Sequence, residues 1–495
     1  MDSQPPKLHI FFFPYIMGGH LIPMIDVARV FASHGVKSTI VTTPHNALLF
    51  QNPIHRDQEL GHDISFHTLY FPAEEFGLPE GCENELTTNS TIMLMKLHNA
   101  VMKLQDQLEQ LLRETKPDCL VSDGVYPLTA DVANGLGIPR IVFDGTGCFS
   151  HCIKESLRRY VPYEKVASDT EAFVLPGLPD KIELKKSMLP EYAKNPNHVF
   201  ALSLKAGIES ELRSYGAVVN SFQDLEIAYA DFYEKEMGRK VWQIGPVSLC
   251  NKSNMDKIDR GIKVSIDEYT CLNWLDSREH ESVLYISFGS LPRLSRSQLL
   301  EIAYGLEASD HPFIWVVGRV LKSSDGEVEE EELLPVGFEE RVMKSKKGLI
   351  IQGWAPQLLI LEHPAVGAFM NHCGWNSIME GVSAGVPMIT WPLGNEQFYN
   401  ERLIIDVLKV GISIGYEDCV DWRAPPRVIV ERDRVTKAVN RLLGSTEEIE
   451  VVEIRKQAKE FEKKAKRAVE KGGSSYNNIV ALIKELKSLR KINEN

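Results

Sequence analysis

Between Trp354 and Gln397 the chain carries side chains suited to holding a nucleotide, WAPQLLILEHPAVGAFMNHCGWNSIMEGVSAGVPMITWPLGNEQ. Asn376 and Ser377 stand where a helix is predicted to open, so side-chain and backbone donors can converge there on a phosphate. Glu380 follows Asn376 by four residues and shares its face, placed to accept hydrogen bonds from a ribose diol. Trp354 offers an aromatic plane to a base. Each residue alone also fits a plainer role: a buried Trp, a capping Asn or Ser, a solvated Glu. Together they favour a nucleotide site.

A second pair could move a proton. His20 follows a Gly-Gly turn and Asp123 ends a short apolar run, so both are predicted at the carboxyl ends of strands, where ligands of open α/β sheets bind. An imidazole with an ordinary pKa near ~6.5 is largely neutral at cytosolic pH, and a helix N-terminus disfavours its charged form further. A carboxylate beside it would orient the ring and stabilise the imidazolium once formed. Spacing alone leaves other roles open: a turn or cap residue for His20, an N-cap for Asp123.

The elements that must position these residues read as two α/β halves. In the first, Leu8–Phe13 is a predicted strand, Pro14–Gly19 a turn, His20–Ser33 a helix ended by Gly35, and Val36–Thr43 the next strand. Residues 92–113 read as one helix, Asp118–Ser122 as a strand before Asp123, Pro127–Leu136 as a helix and Ile138–Phe143 as a strand. Residues 160–200 read as loop; Val218–Ser221 and Val241–Ile244 are late strands. The polar, aperiodic stretch Asn251–Ser265 reads as a linker. Beyond it, Ser282–Ser287 is a strand running into Phe288-Gly289-Ser290, and Gly348–Gln352 leads into the nucleotide segment. There Val366–Met370 is a strand, a helix runs to Ala384, and Gly385 precedes the strand Val386–Trp391. Phe398–Leu408 and Glu450–Lys471 read as helices, and Asn477–Leu489 follows the break at Gly472-Gly473. The acidic run Asp325–Glu332 reads as a solvated loop.

At 495 residues the chain is expected to form more than one domain, and 43% hydrophobic with 25% charged residues is a globular composition. No apolar run is long enough to cross a bilayer, and the N-terminus lacks the features of a secretory signal. A net charge of −13 argues against nucleic acid as a partner. Eight cysteines without CxxC or zinc spacing indicate reduced thiols in the cytoplasm, where the sequons Asn89-Ser90-Thr91 and Asn251-Lys252-Ser253 carry no meaning. No two aspartates lie two positions apart, so the Asp-x-Asp pair of metal-dependent nucleotide-sugar enzymes is lacking.

Trp354–Gln397 resembles, without a gap, the signature box of plant UDP-dependent glycosyltransferases: WAPQ, HCGWNS, the following Glu and the closing acid-Gln pair all stand in it. MGGH and VSDG fit the same family. The resemblance implies a GT-B architecture, two Rossmann-like domains facing across an interdomain cleft. It places an acceptor-binding domain at 1–250, a linker at 251–265, a UDP-sugar domain at 266–471 and, at 472–495, a helix packing back on the first. It makes His20 the general base and Asp123 its partner. It assigns Trp354 to uracil, Gln357 to the uridine and Glu380 to the ribose. Ser290 and His372 would serve the diphosphate with the helix opening at Trp375-Asn376-Ser377, and Gly19, Ala355 and Gly374 belong to the same binding set. Trp375, Glu396 and Gln397 would address the sugar hydroxyls; many members have Asp where this chain has Glu396.

The implied reaction is inverting transfer from a UDP-sugar co-substrate to a small lipophilic acceptor, with no metal, by a cytoplasmic monomer. Gln397 points to glucose, with galactose, xylose and glucuronic acid open. MGGHLIPMIDVARVFASHG resembles the branch acting on triterpenoids, steroids and flavonoids. Phe149, Met93 and Phe200 are candidates for the acceptor wall, with core packing as the alternative for each. Two rival readings stand beside this one. Gly381-Val382-Ser383-Ala384-Gly385 fits the G-x-S-x-G pattern of a serine hydrolase, although there the strand should precede the serine and here it follows. A non-catalytic nucleotide-sugar sensor would have to lack the base, and His20 and Asp123 are both present.

Overall fold

The computed structural model describes residues 6–88, 90–261, 264–266, 268–289, 294–317, 333–420, 428–444 and 448–493. Fifteen strands are described. Those of the first half are β1 (His9–Phe13), β2 (Lys37–Thr42), β3 (Ile64–Thr68), β4 (Cys119–Asp123) and β5 (Arg140–Asp144). Next come β6 (Ala172–Val174), β7 (Glu183–Lys185), β8 (Gly216–Val219) and β9 (Val241–Gln243). The second half supplies β10 (Val283–Ser287), β11 (Phe313–Val317) and β12 (Gly348–Gln352). It ends with β13 (Val366–Asn371), β14 (Met388–Thr390) and β15 (Gly411–Ser413).

Two parallel sheets result, ordered β3-β2-β1-β4-β5-β8-β9 and β12-β11-β10-β13-β14-β15. In each, the chain winds outward from a central strand to one edge, then returns to build the other side, the doubly wound order of nucleotide-binding sheets. Strands buried on both faces lose the alternation of a half-exposed strand. Ile10–Phe13 are all buried, and so are all six residues of β13. In the second sheet Tyr285 stacks on Phe369 with ring centroids 5.1 Å apart, in a core shared with Cys271, Leu275, Ile314 and Ile360.

Contacts divide the chain into two compact units. The first comprises Met1–Cys148, Asn197–Ile262 and Lys466–Asn495; the second, Phe149–Pro196 and Lys263–Ala465. This division differs from the boundaries read at 250 and 266, because residues 149–196 group with the second unit. Within them β6 and β7 pair antiparallel, where the sequence read as loop. The last helix, Ser474–Asn493, belongs to the first unit, with Ser475 Oγ donating to the Gly245 carbonyl at 2.5 Å and Asn478 Nδ2 to that of Gln243 at 2.9 Å.

Three further expectations are corrected. The helix read over 92–113 is two, Thr91–Met102 and Leu104–Thr115, parted at Lys103. The helix after Gln397 widens to π winding over Leu403–Leu408. The stretch 251–265 is not a bare linker. Ser253 Oγ caps a short helix, Asn254–Ile258, and the aspartates of this stretch are held by arginines. Arg56 reaches Asp256 and Asp259 at 2.7 Å each. Arg29, only 5% exposed, donates to Asp57 Oδ2 and Asn251 Oδ1 at 2.6 Å each, while Arg260 reaches Asp26 at 2.8 Å. Removing one partner of a buried ion pair strands the other. Arg29→Met is therefore expected to destabilise by about 3 kcal/mol or more, roughly 6 °C in apparent Tm for a unit of this size. Differential scanning fluorimetry checks this, and hydrogen exchange should show 251–261 losing protection.

Candidate functional site

Both sheets bring candidate residues to the point where their strand order reverses, the crevice in which such folds bind ligands. In the first unit that point lies between β1 and β4, paired through Phe13 and Ser122. The helix after β1 runs Gly18–Ser33, opening two residues before the predicted start, so His20 lies in its first turn. Gly18 N–H donates to Glu85 Oε1 at 2.5 Å, and a Cβ at Gly18 would lie 2.8 Å from that oxygen.

Asp123 is the last residue of β4 and only 1% exposed. Its Oδ2 lies 2.8 Å from His20 Nδ1, and its Oδ1 accepts from the Val125 N–H at 2.9 Å. With Nδ1–H donating to the carboxylate, Nε2 is the basic nitrogen, and the His20 side chain keeps 32% exposure. Arg140, fully buried, braces this rim: Nε donates to Ser122 Oγ at 2.7 Å and Nη2 to the Asp123 carbonyl at 3.2 Å. Burial lowers its pKa to about 10, which still leaves it charged at neutral pH.

In the second unit the reversal lies between β10 and β13, and the turn after β13 is built for close approach. Asn371 Oδ1 accepts from the Cys373 N–H at 2.8 Å, holding Cys373 at φ 62°, a left-handed conformation that an Asx-type bond supports. Gly374 then caps the helix Trp375–Ala384. Asn376 and Ser377 are thus in the first turn and not at the cap, and the cap residue has no side chain to satisfy the opening N–H groups. Gly289, at φ +78°, and Gly374 enclose the His372 imidazole. A Cβ on either would lie 2.7 or 2.5 Å from the ring. His372 Nδ1 is buried with no hydrogen-bond partner among the described residues.

Burial drives the His372 pKa from 6.5 down to about 4. As pH falls below 6.5 the unfolded chain gains a proton that the folded ring refuses until about 4. The contribution to stability is therefore complete above 6.5 and lost as pH falls toward 4. In melting curves of the ligand-free protein, His372→Asn is expected to show a smaller drop in Tm than the parent between pH 7 and pH 5; equal drops would contradict the assignment.

Glu380 is 4% exposed, so the solvated reading fails. Its Oε2 accepts from Gln357 Nε2 at 2.7 Å, and Gln357 Oε1 accepts from the Tyr285 hydroxyl at 3.1 Å. Ser377 Oγ lies 3.4 Å from the same Gln357 amide. Trp354 is half-buried, its N–H donating to Ser265 Oγ and its carbonyl accepting from Ser265 N–H, both at 2.9 Å, with Ala355 buried beside it. Trp375 is buried too. Glu396 precedes the helix Gln397–Arg402, and the Gln397 side-chain oxygen Oε1 accepts from the backbone N–H groups of Leu393 and Gly394 at 2.9 and 3.0 Å. Trp354, Gln357, His372, Ser377 and Glu380 therefore share one unit, as His20 and Asp123 share the other. Ser290 and Asp325–Glu332 lie outside the described residues. Of the acceptor-wall candidates, Phe149 is fully buried and is core, Met93 is half-buried and Phe200 is exposed. Sequence reasoning passed over Tyr15, Glu85, Arg140 and Tyr285, whose partners are remote in the chain.

The family profile described as "UDP-glucoronosyl and UDP-glucosyl transferase" matches residues 73–411. The chain belongs to the plant UDP-glycosyltransferase family. This glycosyltransferase is 48% identical to abscisate beta-glucosyltransferase of Phaseolus angularis over 99% of its own length and 98% of the relative's. It is 47% identical to anthocyanin 3'-O-beta-glucosyltransferase of Gentiana triflora, covering 97% and 99%. Among solved structures, Glycyrrhiza uralensis UGT73P12 complexed with glycyrrhetinic acid 3-O-monoglucuronide matches with a TM-score of 0.92 at 42% identity, covering 99% and 98%. The glycosyltransferase is an enzyme using a UDP-sugar on a small metabolite, and among its described residues no helix is long and apolar enough to cross a membrane. The hydrolase reading ends here: Ser383 lies inside the helix Trp375–Ala384 and donates to the Met379 carbonyl at 2.6 Å.

Proposed function

We propose that this enzyme transfers glucose from UDP-glucose to a hydroxyl of a lipophilic plant metabolite, a triterpenoid or steroid sapogenin or a flavonoid, with inversion and without a metal. The observation that carries the reading is the bond from His20 Nδ1 to buried Asp123, which leaves Nε2 as proton acceptor. The acceptor O–H proton passes to Nε2, the oxygen forms its bond to the sugar C1, and the C1–O bond to UDP breaks with its electron pair leaving on the diphosphate. Attack opposite the leaving group converts an α-linked donor into a β-glycoside. Asp123 balances the imidazolium. The charge growing on UDP would be met by the opening turn at Trp375-Asn376-Ser377 and by His372, preorganised donors acting where other enzymes place a cation. Uracil on Trp354 and ribose on Glu380 complete donor binding.

Glucose is favoured by Gln397 and by relatives named as glucosyltransferases. Among the described residues no disulfide joins any of the eight cysteines, which supports a cytoplasmic setting. The likeness to the solved UGT73P12 complex favours a second reading, a saponin-type acceptor that already bears a sugar, with UDP-galactose or UDP-glucuronic acid as alternative donors. Triterpenoid, steroid and flavonoid acceptors, free and monoglycosylated, should be incubated with UDP-glucose, UDP-galactose and UDP-glucuronic acid in EDTA. Mass spectrometry reports the transfer and the anomeric proton coupling its stereochemistry. Turnover restored only by magnesium, or an α-linked product, would overturn the proposal.

A further inference from the structure

Beside the His20–Asp123 pair stands an aromatic residue that the proposed reaction does not yet use. Tyr15 lies in the turn between β1 and the His20 helix, with its ring edge-on to the imidazole at 84° and centroids 5.5 Å apart. It packs in the same T-shaped manner against Tyr126 at 5.8 Å, and Tyr126 is fully buried and stacked on Phe13 at 4.5 Å. Its hydroxyl lies 2.8 Å from His98 Nδ1, on the helix Thr91–Met102, which Ser90 caps through the Met93 N–H. The phenol is thus held at both ends: its ring by the β1–β4 core, its oxygen by the helix Thr91–Met102.

We infer that Tyr15, tethered through its hydroxyl to His98, is a positioning residue for the catalytic base His20. The bond to Asp123 holds the imidazole at Nδ1. The Tyr15 ring, packed edge-on against its side, restricts rotation about that bond and helps to hold Nε2 where the acceptor proton must arrive. Misplacement of a reacting group by about 1 Å can cost about 10²-fold in rate, so a small loosening is visible in turnover. The tether has a direction. Burial, with Asp123 and Glu85 nearby, pushes the Tyr15 pKa up, so its O–H stays a donor and His98 Nδ1 accepts. A neutral acceptor at position 98 is what the arrangement needs, and Asn, whose side-chain oxygen occupies nearly the place of Nδ1, should serve.

This inference rests on His20 being the base, and the experiment separates the two. With UDP-glucose and the most active acceptor of the panel, kcat and KM are measured for Tyr15→Phe, His98→Leu, their double variant, His98→Asn and His20→Ala. Tyr15→Phe and His98→Leu are each expected to lower kcat by about tenfold with KM for UDP-glucose within about twofold, because the bond they break holds geometry and not donor. The double variant should be no worse than either single one, and His98→Asn should regain most of the loss. His98 is exposed, so its variants test the tether without disturbing a core. Full turnover in His98→Leu, or losses that multiply in the double variant, would sink the positioning role even if His20→Ala is inactive. An active His20→Ala would instead remove the base assignment, and this inference with it.

Discussion

His20→Ala is expected to lose about 10²–10⁴ in kcat, the range for a general base in proton transfer, while binding UDP nearly as tightly as the parent. The two readouts separate because His20 and Asp123 belong to the first unit, whereas Trp354, Gln357, His372 and Glu380 belong to the second. Isothermal titration with UDP and initial rates with UDP-glucose measure both on one preparation. Asp123→Asn should follow with a smaller loss: the amide keeps the shape but can no longer balance an imidazolium, and it can present N–H to Nδ1 and impose the wrong tautomer. Near-full turnover in His20→Ala would end the assignment.

Glu380→Ala is expected to raise KM for UDP-glucose and weaken UDP binding by about 10- to 100-fold, with kcat affected far less. A carboxylate hydrogen bond is worth about 1.5–3 kcal/mol, and this one would be made equally in the ground and transition states. Part of the loss is internal, because the variant leaves Gln357 Nε2 without its 2.7 Å acceptor and frees the amide to turn from Tyr285. A donor with 2′-deoxyuridine distinguishes the causes. If Glu380 holds the ribose diol, the parent should lose affinity for the deoxy donor and the variant should hardly notice the change. An equal penalty in both would assign Glu380 to supporting Gln357 instead.

The two sheets and the placement of both sites were legible because fully apolar runs ending in Gly, Asp or Asn leave few alternatives to buried parallel strands. Glu380 was legible as a partner of the Asn376 face from spacing, but its burial was not: helical periodicity cannot show that Gln357 donates to it and is itself steadied by the Tyr285 hydroxyl. Tyr15, Glu85 and Arg140 went unseen because each acts through a residue far along the chain, as Tyr15 does through His98, 83 positions away. The stretch 251–265 misled because a polar composition describes a linker and a salt-bridged segment equally well. Only the fold shows that Arg29 and Arg56 face its aspartates. Residues 149–196 carry too few regularly spaced apolar positions to announce which core they join.

That last segment has a consequence for how the polypeptide is made. The backbone passes from one unit to the other four times, at 148, 196, 262 and 465, so neither unit is a continuous piece of sequence. A gene cut at the polar stretch near 250 would deprive the second fragment of forty-eight residues that pack with it and the first of its closing helix. On the ribosome the first sheet can be paired early, yet its unit stays unfinished until the helix Ser474–Asn493 emerges. Synthesis from the N-terminus therefore cannot complete the first unit before it has passed through the second.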